Sequence, residues 1–480
     1  MSNPLRILFL SAEVAPFAKR GGLGDVGGSL PKALHALGHD VRVVMPAYAN
    51  IEAGYAGVEA MPGHMHVPMR GTVMINGVFR GRLPNSDVPT YFIAERNLLG
   101  RPEVYGYQDD AYRFAFYCRA ALELMAILNW RPHLVHANDW HTAPAVTWLA
   151  TAARADHRLR NIPTVFSIHN LAHQGLTSWD IFDYLQLQTH RLQEEGHNQV
   201  NFMARGIHHA TLINTVSPTY AREIMTPAGG AHLDGMLRYR APDVSGILNG
   251  IDTDEWNPAT DKRLPHHYDA SHLEGKQKVK QALQAALGLP ERSDVPLVAM
   301  VTRLDYQKGL DITGDVLHRL LNAQAGEAQF VVLGTGADEY ENMLAHLAGY
   351  HRNKMRAVLA YNASLAPLIY GGSDMFIMPS RFEPCGLGQL IAMRYGTIPI
   401  AKATGGLVDT IWDGQTGFLF SEHTVEAFWE GLRRAMWVYY HNKTHWQHMQ
   451  VTAMSQDFSW ERSARGYEQL YERAIARSGL

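Results

Sequence analysis

Two cations near the middle of this chain stand where they could grip a diphosphate. In "LVAMVTRLDYQKG", Arg303 closes an apolar run that reads as a β-strand, and Lys308 follows five residues later, before a helical pattern. Charge-assisted contacts from such a pair suit two phosphate groups, although solvated surface charge is the commoner fate of Arg and Lys. In "MFIMPSRFEPCGLGQLIAMRYG" a strand, a tight loop and a helix follow one another. Glu383 lies just before that helix, where a carboxylate could fix sugar hydroxyls or simply cap the helix, and the free amides near Gly386 and Leu387 could hold phosphate. "VFSIHN" leaves His169 and Asn170 at a strand end, and "HANDWH" offers His136, Asp139 and His141. A metal triad is conceivable there, but only Asp139 falls at the end of its strand and the histidines need not converge. Asp252-Thr253-Asp254 is a D-x-D pair, of the kind that holds a metal–nucleotide diphosphate, yet it lies in a Gly/Asn/Pro-punctuated joint and reads as structural.

A second cluster is "AKRGGLGDVGGSLPKAL", with five glycines between Lys19 and Ser29. Gly22, Gly24 and Gly27 match G-x-G-x-x-G, which alone suggests a dinucleotide. The context opposes it. "EVAPFAKR" separates the strand from the first glycine, and the second strand ends in Met45-Pro46 rather than an acid for a ribose hydroxyl. A turn that only lets a helix pack closely leaves Lys19 and Asp25 without a role. What remains is a helix start opened toward a charged or hydroxyl-rich ligand.

The elements that must position these residues read as α/β. "RILFLSA", "DVRVVMPA", "HLVHAND" and "TVFSIHN" are short apolar runs in the first half; "LVAMVTR", "QFVVLGT", "MFIMPS" and "TIPIAKA" repeat the pattern in the second. Runs apolar on both faces belong to parallel strands covered by helices, and helical stretches such as "DAYRFAFYCRAALELMAIL" lie between them. Two doubly wound sheets follow, and such sheets bind ligands beyond the carboxyl ends of their strands. The joint is "SGILNGIDTDEWNPATD", with 259–276 expected as a polar surface loop. Trp460, Ala464, Tyr467, Tyr471 and Ala474 form one stripe of a terminal helix that must dock on a neighbour.

The 480 residues allow two to four domains. A net charge of −3 gives no basic excess for nucleic acid. No stretch approaches the ~18 apolar residues of a membrane span. Two distant cysteines, Cys118 and Cys385, make no disulfide framework, which points to a reducing, cytoplasmic location. Cations in the second half and hydroxyl-binding types in the first describe a sugar-nucleotide transferase.

In order along nearly the whole chain, "KRGGLGDV", "HANDWH", "SIHNLAHQG", "TVSPTYAREI", "LNGIDTDEWNP", "VTRLDYQKGLD" and "RFEPCGLGQLIAMRYGTIPIAKATGGLVDTI" resemble the bacterial glycogen synthases and plant starch synthases. The resemblance implies a GT-B fold, with two Rossmann-like domains facing across a cleft. Residues 1–248 would form the acceptor side and 249–456 the nucleotide-sugar side, with 457–480 a helix returning to the first domain. It implies retaining α-1,4-glucosyl transfer from ADP-glucose to the non-reducing end of an α-glucan, without cofactor or metal. Arg303 and Lys308 match the family's phosphate-binding pair. Glu383 matches its motif glutamate, with Cys385, Gly386 and Leu387 beside it, and His169 would position the donor sugar. Tyr361 matches the base-stacking tyrosine. Lys19, Gly22, Gly24 and Asp25 match the glycine loop. Asp139, Asn170 and Asn249 match positions lining the cleft, and Tyr107 and Asp109 resemble a sugar-contacting segment. The chain departs from the family at Arg20, usually Thr, and at Asn138, usually His. Ile391 stands where related GT-B enzymes carry a second glutamate, which starch synthases also lack.

Other classes remain to be distinguished. A GT-B transferase using UDP-glucose would share most of these motifs. A glucan phosphorylase needs a pyridoxal phosphate lysine for which no motif is evident. A catalytically silent glucan-binding protein would not need a diphosphate site.

Overall fold

The computed structural model describes residues 4–479, except 189, 190, 194 and 196–198. The chain divides into two compact units, one formed by Met1–Asn249 with Trp460–Leu480 and the other by Gly250–Ser459.

The first unit is built on a large sheet. Its strands run Val244–Gly246, Leu212–Thr215, Thr164–Ile168, Leu134–Asn138, Arg6–Leu10, Asp40–Pro46 and Pro89–Ala94, all parallel. The middle strands are buried along their length, the consequence of helices on both faces. Beyond Pro89–Ala94 the sheet continues antiparallel through Thr72–Arg82, with Met65–Met69 and Glu59–Ala60 on it. Thr72–Arg82 has residues that alternate between cover and solvent, as one-faced antiparallel strands do. Arg6–Leu10 is followed in sequence by strands on one side and later by strands on the other. The crevice between it and Leu134–Asn138 is therefore the topological switch point.

The terminal helix Trp460–Arg477 belongs to this unit. Its stripe of Trp460, Ala464, Tyr467, Tyr471 and Ala474 is buried in one core with Val26, Leu30 and Leu34 of the helix Gly22–Ala36. Two tyrosine hydroxyls anchor it to the sheet: Tyr471 bonds His136 Nδ1 at 2.8 Å, and Tyr467 accepts from Asn214 Nδ2 at 3.0 Å.

The second unit has six parallel strands in the order Met355–Val358, Gln329–Leu333, Leu297–Val301, Met375–Met378, Ile398–Lys402 and Phe418–Phe420. Its switch point lies between Leu297–Val301 and Met375–Met378. The stretch 259–276 is largely the exposed loop expected, with buried anchors within it. Asp261, Tyr268 and Lys276 are buried, and the helix Glu274–Ala286 begins inside it. The Lys276 ammonium uses its three donors on the carbonyls of Gly371 and Tyr395 and the hydroxyl of Thr397, at 2.9, 2.9 and 2.8 Å. Full satisfaction of a buried cation's donors is what makes its burial tolerable. No described helix is long and apolar enough to cross a membrane.

Candidate active site

In the second unit both loops at the switch point carry the residues singled out above. After Leu297–Val301, the Asp305 side chain accepts the Lys308 amide at 3.1 Å and forms a tight turn. Gly309 then takes φ +75°, and a Cβ there would lie 2.0 Å from the carbonyl oxygen of Pro379. Only glycine fits both demands. This close approach brings Lys308 to the loop after Met375–Met378, where its ammonium meets Glu383 Oε2 at 2.7 Å. The same oxygen accepts from Ser380 Oγ at 2.9 Å, and Glu383 is buried. Arg303 is largely exposed and reaches Asp305 at 3.2 Å and Gln307 at 3.5 Å. Gly405 and Gly406 press on this loop from below: a Cβ would sit 2.0 Å from the Glu383 carbonyl oxygen or 2.2 Å from that of Cys385. Gly386 has φ +74°, and the Gln389 amide ties the carbonyls of Cys385 and Gly386 at 3.0 Å each, which orders the backbone up to Leu387. Cys385 is buried, and Tyr361 offers a ring that is 84% exposed.

The two cations thus have carboxylate neighbours of their own, Glu383 and Asp305. With these partners the four side chains sum to zero.

In the first unit the loop after Arg6–Leu10 folds around Glu13, which is buried. Glu13 Oε2 accepts the amides of Arg20 and Gly21 at 2.5 and 3.0 Å, and Oε1 accepts the Tyr105 hydroxyl at 2.6 Å. Much of the glycine content serves this packing. A Cβ on Gly27 would lie 2.4 Å from the Glu13 carbonyl oxygen, one on Gly28 2.6 Å from that of Ala15, and one on Gly24 2.9 Å from the Lys19 side chain. Only Gly21, among these, has open space around its Cβ direction. The bare backbone therefore admits the chain's own loop at Gly27 and Gly28. The helix begins at Gly22. Lys19 Nζ pairs with Asp25 Oδ1 at 2.5 Å, and burial holds the Asp25 carboxyl above its usual pKa against the pull of that ammonium.

Across the switch point, Asp139 has φ +57° and ψ 177°, a region costly for any residue but glycine. Its buried carboxylate accepts the amides of His169 and Asn170 at 2.7 and 3.4 Å. Burial raises its pKa to about 7, against the lowering effect of those two amides. The His169 ring is depressed to about 3 by burial, and its Nε2 lies 2.9 Å from Asn138 Oδ1. Asn170 accepts the amide of Ala172. Asn249 is buried, and its Oδ1 has no hydrogen-bond partner among the described residues. Asp109 spends both oxygens on Arg101 in a bidentate pair at 2.6 Å each, which holds its carboxyl below the usual range. Tyr107 lies beneath the Arg101 and Arg113 guanidinium groups, 4.8 and 4.6 Å from its ring.

His136 uses both ring nitrogens inside the core, on Tyr471 and on Ser167 Oγ at 2.7 Å, and His141 stacks on Tyr105. Asp252 Oδ1 accepts the amides of Asp254 and Glu255, a turn of the joint. Among the described residues no group of three or more His, Cys, Asp or Glu is placed to hold a metal.

Sequence reasoning missed Glu13, Tyr105 and Ser380. The signal for Glu13 was present: an acid directly beyond the apolar run of the first strand.

A family model described as starch synthase catalytic domain matches residues 6–239, and one described as glycosyl transferases group 1 matches 280–438. The chain is 45% identical to the glycogen synthase of Anaeromyxobacter sp. (strain Fw109-5), over 98% of this chain and 100% of that one. It is 43% identical to the glycogen synthase of Moorella thermoacetica, over 99% and 98%. Among solved structures it resembles the catalytic domain of starch synthase IV from Arabidopsis thaliana bound to ADP and acarbose. That match has a TM-score of 0.90 and 35% identity and covers 99% of this chain and 100% of the other. The sucrose-phosphate synthase of Thermosynechococcus elongatus, at TM-score 0.61 and 18% identity, shares the fold over 98% and 99%. The fold class is accordingly GT-B, and the chain is a glycosyltransferase belonging to the glycogen synthase and starch synthase family.

Proposed function

We propose that this protein transfers glucose from ADP-glucose to the non-reducing end of an α-1,4-glucan, with retention at the anomeric carbon. The observation that carries the reading is the cluster of Arg303, Lys308, Glu383 and Ser380 at the switch point of the second unit. The acceptor 4-hydroxyl forms a bond to the anomeric carbon as the carbon–oxygen bond to the diphosphate breaks, and the hydroxyl proton ends on the departing diphosphate or in solvent. Negative charge grows on the leaving group. Arg303, Lys308 and the amides of Gly386 and Leu387 would offset it, an effect that acts mainly in the transition state. Glu383 would hold Lys308 in place and accept donor-sugar hydroxyls. Tyr361 would stack on the base. His169, kept neutral by burial, positions the sugar and is not a base.

In the first unit Lys19, Gly22, Gly24, Asp25, Tyr107, Asp139, Asn170 and Asn249 would receive the sugar hydroxyls. Asp109 acts through Arg101, since both its oxygens are already engaged. The reading needs no metal or cofactor and places the enzyme in the cytoplasm. ADP bound to the starch synthase relative supports the adenine nucleotide over UDP-glucose.

The test is incubation with ADP-glucose or UDP-glucose plus maltooligosaccharide, with and without EDTA, followed by chain-length analysis. Stepwise lengthening with ADP release that survives chelation is expected. Nucleotide hydrolysis without extension would refute the synthase reading, and a collapse restored by magnesium or manganese would refute metal independence.

A further inference from the structure

Asn138 ends one strand of the first unit and His169 directly follows the adjacent parallel strand, where Asn138 stands opposite Ser167. Asn138 is fully buried. Its side-chain nitrogen donates to the carbonyl oxygen of Leu10 at 2.8 Å. A carbonyl oxygen can only accept, so the NH2 group must face Leu10 and the amide oxygen must face the histidine. That oxygen is 2.9 Å from His169 Nε2. An amide oxygen also only accepts, so Nε2 must carry the hydrogen. The other ring nitrogen, Nδ1, makes no hydrogen bond among the described residues.

We propose that Asn138 is a positioning residue that locks His169 in the Nε2–H tautomer, so that Nδ1 meets the substrate as a hydrogen-bond acceptor. A neutral imidazole with its only N–H already committed cannot donate to a phosphate oxygen. It can take a hydrogen bond from a sugar hydroxyl, a ligand class that rests on the function proposed above. The surroundings keep the ring neutral. The Asp139 carboxylate is turned to the His169 and Asn170 amides, and the nearby rings of His136 and His141 are themselves held neutral by burial.

The same logic names a ring side chain that could replace Asn138. It must donate to Leu10 and accept from Nε2–H at once, and histidine does both with its two ring nitrogens. Leucine does neither. Aspartate cannot donate to Leu10 when ionised, and it would favour the imidazolium at position 169.

The direct test is the 15N spectrum of protein labelled at the histidine ring nitrogens, with the His169 signals assigned by their loss in His169→Gln. A protonated Nε2 and an unprotonated Nδ1, unchanged through neutral pH, are expected; an Nδ1–H tautomer or an imidazolium would overturn the proposal. Kinetics give a second arm. Asn138→Leu should lower kcat/KM for the sugar donor about tenfold, the loss of one hydrogen bond, while ADP affinity holds. Asn138→His should recover most of that loss. Unchanged kinetics in Asn138→Leu, or Asn138→His as impaired as Asn138→Leu, would each refute the lock. If Asn138→Leu fails to fold, the wild-type spectrum still decides. If the wild type extends no glucan, the functional reading falls while the tautomer result stands by itself.

Discussion

The two sheets place polar residues at the same topological address and hold them in opposite electrostatic states. In the first unit the groups beside the switch point are buried and pushed toward neutrality, with the Asp139 carboxyl up to about 7 and the His169 ring down to about 3. In the second they are paired as ions: Lys308 with the buried Glu383, and Arg303 with Asp305 and Arg381 with Asp311 in more open positions. Both units use glycine pairs in the same way, to let a helix start press on the backbone of a site loop. Gly27 and Gly28 meet Glu13 and Ala15; Gly405 and Gly406 meet Glu383 and Cys385. Topology therefore supplies the address, and burial with or without a cationic partner sets the charge found there: Glu383 is as buried as Asp139 but has Lys308 beside it. Neutral acceptors suit hydroxyls, while the cation of an ion pair can exchange a carboxylate for a phosphate.

The largest effect should come from breaking the ionic side. Lys308→Ala or Arg303→Ala is expected to lower kcat by on the order of 10²–10³, the usual result of losing one preorganised contact to growing charge. Steady-state kinetics on maltooligosaccharide extension measures it, and a change confined to KM would remove the transition-state role. Next is the hinge of that site. Gly309→Ala must accommodate both a positive φ and a methyl 2.0 Å from the Pro379 carbonyl oxygen, so it should destabilise the second unit by about 2–4 kcal/mol in denaturant unfolding.

The neutral side is probed by Asp139→Asn. An acid whose folded pKa lies above its unfolded value stabilises the fold only at low pH, and that contribution disappears as pH rises from about 4 to about 7. The asparagine variant should therefore be more stable than wild type by about 1–3 kcal/mol at alkaline pH, with the gap closing toward pH 4, while activity falls. A variant less stable at every pH would contradict the burial argument. The smallest effect is Gly21→Ala, expected within about 0.5 kcal/mol of wild type because nothing lies within 4 Å of its Cβ direction.

Strands with both faces covered were legible from composition: "LVAMVTR" and "TVFSIHN" hold the strands Leu297–Val301 and Thr164–Ile168. The antiparallel extension through Thr72–Arg82 was not, because one face is solvated and Gly77, Gly81 and the nearby Pro68 break the apolar pattern. Arg303, Lys308 and Glu383 were legible because each stands at a strand end in a motif of distinct type. Ser380 and Asn138 were not assigned a role: Ser380 acts through a loop turn that brings it onto Glu383 three residues on, and Asn138 through bonds to Leu10 and His169, both remote in sequence. Asp109 could be named by resemblance, but its bidentate commitment to Arg101 could not, for the pairing is visible only once the 101–109 loop is folded. The stretch 259–276 was legible as a mostly exposed polar loop, but its buried anchors were not. Asp261 and Lys276 satisfy their hydrogen bonds inside the unit.

The division of chemistry between the units is tested most directly by calorimetric titration of ADP into Arg303→Ala and Asp139→Asn. Charge-assisted phosphate contacts confined to the second unit predict at least about tenfold weaker ADP binding in Arg303→Ala and affinity within about twofold of wild type in Asp139→Asn. ADP binding that survives Arg303→Ala but collapses in Asp139→Asn would contradict the account.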